Sequence, residues 1–382
     1  MSPCTANRIS PYAALRQGIT TGLCAAAAAK AATLMLFSAQ VVSKIDIQAK
    51  TNEVFQLDVL KTTWFEDTVT CAIKKDAGDD PDATNGLLVF ATVCLKDTSG
   101  IEIDGGEGVG RVTKPGLKVP VGMAAINPVP REMISSAIAE VCEHYGYHGG
   151  VLAIISIPGG EDVAEKTMNA RLGIKGGLSI LGTTGIVRPM STRALLETIK
   201  TEIDVQVAAG RDSLLVTPGN YGEEFATRIL GLKAEQVINC SNFLGDTLDH
   251  ACAKGIQHVL LVGHVGKMVK LAGGIMNTHS HNADCRREIL AAHCAMAGAD
   301  QQAIQEIMDC TTTTSAISII DGLGIGEEVW ASIEKKICFY LNQRTQGLQS
   351  VEFVVFTGKD RVLMHAQTGQ KGGDVTYGTI PS

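Results

Sequence analysis

The chain has 382 residues, of which 45% are hydrophobic, 19% charged and 4% aromatic, with 41 glycines and a formal net charge of −7. That length accommodates two domains with real cores, and the composition excludes wholesale disorder. The acidic balance excludes a general nucleic-acid or membrane-surface binder, and the 11 cysteines, with no CxxC pair, point to reduced thiols in a cytoplasmic enzyme rather than zinc ribbons.

The first predicted element, residues 22–37 (GLCAAAAAKAATLMLF), imitates a membrane span. Lys30 interrupts it, and a span needs about 20 apolar residues. It reads as a buried helix whose first turn is capped by Thr20 or Thr21. Short runs rich in Val, Ile and Thr follow at 41–50, 54–60, 68–74 and 87–96, several of them alternating as strands do, with a turn cluster over 76–85. Residues 101–130 carry glycines and prolines at a density that suggests an ordered loop or short edge strands. A helix near 131–145, an apolar strand at 151–157, a helix start after Gly159-Gly160 and a second Gly-rich run at 171–191 complete an α+β region.

From about residue 192 the rhythm changes. Helices at 192–208, 223–230 and 244–253 alternate with strands at 213–216, 236–240 and 258–262, which predicts a parallel sheet. Helices at 284–297, 301–309 and 326–341 and a hairpin of 351–356 with 361–365 complete the pattern. The expected organisation is an α+β N-terminal domain, 1–190, then an α/β domain, 191–367, with a mainly parallel, Rossmann-like sheet, and a flexible tail, 368–382.

Ligands of open parallel sheets bind beyond the carboxyl ends of the strands. Three segments fall there: Thr217-Pro218-Gly219-Asn220-Tyr221-Gly222, Ser241-Asn242-Phe243-Leu244-Gly245 and Gly263-His264-Val265-Gly266-Lys267. They suit a nucleoside-like ligand: Gly219, Gly263 and Gly266 for close backbone approach, Asn220 and Asn242 for polar contacts, Tyr221 or Phe243 for stacking, and Lys267. Each is also what an ordinary strand-to-helix turn contains. Residues 263–267 lack the P-loop spacing, and Gly106-Glu107-Gly108-Val109-Gly110 lacks the dinucleotide spacing. His279-Ser280-His281, Asp284 and His264 hold enough ligand atoms for a metal, but HxH needs a strand and this stretch follows a Gly-Gly turn, so no protein metal site is expected.

Between residues 111 and 193, nine basic side chains face six acidic ones. Lys114, Arg131, Lys166, Arg171 and Arg188 flank the Gly-rich loops, and the pattern suits a ligand carrying several carboxylates or phosphates. Taken singly, each is a solvated surface cation.

In order along the chain, Gly18-Ile19-Thr20-Thr21-Gly22, 106–117 (GEGVGRVTKPGL), 120–133 (PVGMAAINPVPREM), 166–189 (KTMNARLGIKGGLSILGTTGIVRP), 219–222 and 261–284 (LVGHVGKMVKLAGGIMNTHSHNAD) resemble the cobalt-precorrin-5B C1-methyltransferase family of anaerobic cobalamin biosynthesis. The resemblance implies methyl transfer from S-adenosylmethionine to C-1 of cobalt-precorrin-5B, giving cobalt-precorrin-6A, with cobalt present only as part of the substrate. It further implies a cytoplasmic setting, no nucleic-acid or membrane partner, and leaves a homo-oligomer open. The cofactor signatures of the better-known methyltransferase classes are missing, so the donor site is expected at the strand ends, with 182–185 as the alternative. The substrate's carboxylates would meet Lys114, Arg131, Lys166, Arg171 and Arg188, joined by Thr183 and Thr184. Glu107 and His264 are the candidate general bases, each also readable as a structural hydrogen-bonding residue. Two other classes remain open at this level: a non-catalytic tetrapyrrole carrier, and an α/β enzyme of phosphorylated metabolites.

Overall fold

The structure, a computed structural model, describes residues 15–368. Its chain divides between Thr192 and Arg193 into two compact units.

The first unit runs β1 (Gly18–Ile19), α1 (Thr21–Ser38), β2 (Lys44–Gln48), β3 (Val54–Phe65), β4 (Thr68–Lys74), β5 (Leu88–Lys96), β6 (Gly100–Gly105), β7 (Arg111–Val112), α2 (Pro128–His144), β8 (Gly150–Ser156), α3 (Gly160–Ala164), α4 (Asn169–Leu172), β9 (Ile174–Lys175) and β10 (Ile186–Val187). Six strands form one sheet in the order β2-β3-β4-β5-β8-β6. Every pairing is antiparallel except that of β6 with β8. Alternation builds its buried face: Val69, Cys71 and Ile73, then Val89, Ala91 and Val93, then Val151, Ala153 and Ile155 point to one side.

That side is covered by α1. Its residues from Leu23 to Ala29 are fully buried, because Ala lets a helix lie close to both the sheet and α2. The Thr20 hydroxyl accepts from the Leu23 amide at 3.2 Å and caps the first turn. Lys30 reaches out to Glu140 at 2.8 Å. Among the described residues α1 is the one helix long and apolar enough to cross a membrane, but 72% of it is buried inside the unit, as a core helix is. Residues 101–130, expected as an ordered loop or short edge strands, begin with β6, an edge strand of this sheet paired with β8.

The second unit runs α5 (Thr192–Ala208), β11 (Ser213–Thr217), α6 (Asn220–Arg228), β12 (Val237–Asn239), α7 (Leu244–Ala253), β13 (His258–His264), α8 (Val265–Met268), α9 (Arg286–Met296), α10 (Gln301–Asp309), α11 (Thr313–Leu323), α12 (Gly326–Thr345), β14 (Ser350–Thr357) and β15 (Arg361–Gln367). The sheet order is β12-β11-β13-β14-β15. β11 to β14 pair in parallel and β15 joins antiparallel, so the chain as a whole is a mixed α/β protein whose sheets combine both pairings.

Both faces of this sheet are buried, which explains its continuous apolar strands. Leu214, Val216, Leu261 and Phe353 join one core with α5, α7 and α9 to α12. Leu215, Leu260, Val262 and Phe356 join the other with Phe225 of α6. Thr368, expected to start the tail, is instead tied to the sheet: its hydroxyl accepts from the Val351 amide at 2.9 Å. The remainder of that expected tail, 369–382, lies outside the described residues.

Candidate active site

In the second unit, β11, β12 and β13 end side by side at Thr217, Asn239 and His264. Parallel pairing puts the three following turns on one edge, where α6, α7 and α8 begin. Asn239, which sequence inspection did not single out, is the hub. Its Oδ1 accepts from the amides of Gly219 at 3.1 Å and Ser241 at 3.0 Å, and its Nδ2 donates to Asn220 Oδ1 at 3.0 Å. The signal was present: a polar residue closing an apolar strand at the ligand edge of a sheet.

Gly219 has φ 104°, and a Cβ there would lie 3.1 Å from Lys267 Nζ. Its amide is spent on Asn239, so what Gly219 supplies at this turn is room beside Nζ. Lys267 is half-buried and donates to the Ser241 carbonyl at 3.0 Å. Burial pulls its pKa below the usual lysine value. The Thr217 hydroxyl is buried without a partner at the foot of the same turn. Tyr221 is 75% exposed beside the His264 ring, 6.0 Å between centroids.

The structure redirects several expected roles. The His264 Nδ1 accepts from the Gly266 amide at 3.2 Å and caps α8. Burial lowers the pKa of His264, so the ring is neutral near pH 7, with its proton on Nε2. It presents a donor at Nε2, which matches the alternative reading of His264 as a structural hydrogen-bonding residue. Phe243 is packed half-buried against the core rather than left open for stacking. Asn242 is tied to the next segment: its Oδ1 accepts from Thr278 Oγ1 at 3.2 Å. At Gly263 a Cβ would come within 2.6 Å of Met268 and 2.9 Å of Pro218, so this glycine serves packing beneath the turn. A Cβ on Gly266 would lie 3.3 Å from His264 Nδ1, where it would press on the cap. His279 and His281 are exposed, their rings 5.1 Å apart, and the described residues hold no cluster of three or more metal-ligating side chains.

In the first unit, the two Gly-rich runs cross backbone to backbone. Gly108 O accepts from the Leu178 amide at 2.8 Å, and the Gly110 amide donates to Leu178 O at 2.9 Å. A Cβ on Gly108, where φ is 69°, would sit 1.8 Å from the Ile157 carbonyl oxygen. The run continues over the start of α1, where Thr21 Oγ1 accepts from the Leu181 amide at 3.0 Å. Lys114, Lys166, Thr183 and Arg188 are exposed along these loops and Arg171 is half-exposed. The stem of Lys114 crosses Gly173, where a Cβ would fall 2.5 Å from its Cγ. Thr184 is turned onto its own loop, its hydroxyl 3.2 Å from the Ile186 amide.

Arg131 is held within its own unit. Its guanidinium donates to the carbonyls of Ile126 at 3.0 Å, Ile103 at 2.8 Å and Ala124 at 3.3 Å. It fastens the loop to β6 and α2. Glu107 is exposed, and its carbonyl accepts from the Ile157 amide at 2.8 Å.

The α/β chain thus carries strand-end turns around a half-buried cation in one unit and backbone loops with exposed cations in the other. The family model described as CbiD matches residues 9–189, and the model described as CbiD, C-terminal domain, matches residues 277–367. The cobalt-precorrin-5B C(1)-methyltransferase of Ruminiclostridium cellulolyticum is 47% identical over 349 residues, 91% of each chain. That of Thermoanaerobacter sp. (strain X514) is 49% identical over 311 residues, 81% of this chain and 84% of its own. A crystal structure of a cobalamin biosynthesis protein (cbiD) from Archaeoglobus fulgidus is 28% identical, with 71% of this chain and 84% of that one covered and a TM-score of 0.38. The chain belongs to the CbiD family.

Proposed function

We propose that this protein transfers a methyl group from S-adenosylmethionine to C-1 of cobalt-precorrin-5B. The observation that carries this reading is the likeness, 47% identity across 91% of both chains, to a relative bearing that activity in its name. The cobalt enters with the substrate. The first unit, with its exposed cations along the Gly-rich loops, takes the tetrapyrrole's carboxylates. The second unit takes the methyl donor at its strand ends, in the manner of a nucleotide-binding sheet.

The residues present fit such a donor. Tyr221 offers an exposed ring to a nucleobase, Asn220 and Asn239 hold the turn that would follow the ligand, and Lys267 brings positive charge. The donor's sulfonium supplies an activated methyl group and a good leaving group. What remains for the protein is to align that carbon with its acceptor and to exclude water. No residue singled out as a base is set up to remove a proton: His264 presents an N–H, and Glu107 is exposed. The chain's contribution is therefore positioning and charge neutralisation, with the acceptor carbon activated by the conjugated macrocycle.

Incubation with cobalt-precorrin-5B and methyl-labelled S-adenosylmethionine tests the reading directly. Label should pass to the tetrapyrrole, and S-adenosylhomocysteine should accumulate in equal amount. Binding of the tetrapyrrole without any turnover would mark a carrier and overturn the proposal.

A further inference from the structure

Lys267 differs from the other lysines that this fold shields from solvent. Lys75 lies 2.6 Å from Asp82. Lys270 lies 3.7 Å from Asp284 and donates to two carbonyls. Lys30 lies 2.8 Å from Glu140. Lys267 is half-buried, yet no carboxylate pairs with it among the described residues; its one hydrogen bond is to the Ser241 carbonyl at 3.0 Å. The neighbouring group able to carry negative charge is the Cys240 thiol, and burial pushes that up to about 12, so it is neutral. A shielded cation without a counter-ion costs free energy that a salt-bridged one recovers. The cost makes sense where the anion arrives with a ligand. The surroundings favour this: Gly219 has no side chain to fill the space beside Nζ, and Asn239 holds Gly219 and Ser241 at fixed distance from each other.

We propose that Lys267 receives a carboxylate of a bound ligand, in a subsite bordered by Gly219 and the Ser241 carbonyl, with Asn239 as the positioning residue. This rests on the preceding assignment of the strand ends as a ligand site. Two ligands of the proposed reaction carry carboxylates: the methionyl end of the methyl donor and the side chains of the tetrapyrrole. The experiment distinguishes them. S-adenosylhomocysteine, methylthioadenosine (the same nucleoside thioether without the amino-acid end) and cobyrinic acid, a cobalt corrin with free carboxylates, are titrated calorimetrically into wild type, Lys267→Met and Lys267→Arg.

If the carboxylate is the donor's, Lys267→Met weakens S-adenosylhomocysteine about tenfold or more and leaves methylthioadenosine within about twofold. Lys267→Arg keeps the charge and recovers part of the loss. If it is the tetrapyrrole's, the loss falls on cobyrinic acid alone. Equal weakening of S-adenosylhomocysteine and methylthioadenosine overturns the proposal and makes Lys267 a loop fastener. So does unchanged binding of every ligand in Lys267→Met, which would leave methyl transfer standing with its donor site elsewhere. Wild-type protein that binds none of the three overturns the subsite and the preceding assignment together. Lys267→Gln, with an unchanged melting temperature, replaces Lys267→Met should the latter fail to fold.

Discussion

An imidazole whose Nδ1 accepts a backbone amide must, when neutral, carry its proton on Nε2, and His264 is held this way by Gly266. His264→Ala and Glu107→Gln should therefore each lower kcat by less than about tenfold, since general-base loss typically costs more. A drop of about a thousandfold in single-turnover methyl transfer would restore the base that the geometry argues against. Burial also gives His264 a pH signature. Its pKa is lowered by burial, as is that of His293, where Lys336 adds to the effect. For a depressed histidine the unfolded chain binds the proton more readily. The stability each contributes is present above the unfolded pKa of about 6.5 and is lost as pH falls below it. Melting temperature should fall on acidification through this window, and His264→Gln with His293→Gln should flatten the fall. Glycine positions give a second residue-scale contrast. Gly108 and Gly159 both have positive φ, 69° and 78°, but a Cβ at Gly108 strikes the Ile157 oxygen while one at Gly159 meets nothing within 4 Å. Gly159→Ala should cost about 1–2 kcal/mol. Gly108→Ala should cost at least about 3 kcal/mol in urea denaturation, because the backbone crossing must open.

Helix α1 makes the equivalent point about whole elements. The Ala28 carbonyl accepts from the Cys71 thiol of β4 at 3.3 Å, and Ala28 itself is fully buried. Ala28→Leu adds volume where helix and sheet touch, so we expect a loss of about 1–3 kcal/mol in urea denaturation. A neutral result would mean that the interface has slack. This helix was legible in the sequence because Ala is the strongest helix former, and an apolar run interrupted by one Lys is too short to span a membrane. The longer strands of both units were legible for a related reason: alternation in β4 and β5, continuous apolar runs in β11 and β13. Helix α11 was not. Its sequence, TTSAISIIDGL, is rich in β-branched residues, and what makes it helical is the Thr312 cap, 3.1 Å from the Ser315 amide, and burial of Ala316, Ile317 and Ile320. The start of α2 was placed at 131, three residues late; Pro128 sits in its first turn, where proline is tolerated. In the candidate site, the strand-end turns were legible from chain rhythm. The roles of Asn239, Arg131 and His264 were not, since each depends on which backbone group lies opposite, and nearby sequence does not specify that.

At the scale of the whole chain, the proposal assigns the two ligands of the reaction to regions of different charge. Its net charge is −7, yet residues 111–193 carry more basic than acidic side chains. Part of that excess is already committed within the first unit: Arg111 pairs with Asp104 at 2.8 Å, and Arg131 is bound to carbonyls. Lys114, Lys166 and Arg188 stay exposed along the loops and are the groups a polycarboxylate would meet. Exposed charges act through water and are screened by salt, with a Debye length of about 10 Å at 0.1 M ionic strength. Raising ionic strength should therefore increase KM for cobalt-precorrin-5B several-fold while changing the affinity for S-adenosylhomocysteine much less, because Lys267 is shielded and carries at most one contact. Lys114→Ala should mimic the salt: a higher tetrapyrrole KM, kcat within about twofold, and S-adenosylhomocysteine affinity unchanged by calorimetry. The substitution removes a stem that crosses Gly173 as well as a charge, so Lys114→Gln, which keeps most of the stem, should give the same KM increase. If Lys114→Gln binds the tetrapyrrole normally while Lys114→Ala does not, the stem's packing and not the ammonium is what the substrate needs. If salt weakens both ligands equally, the assignment of tetrapyrrole to one unit and donor to the other fails.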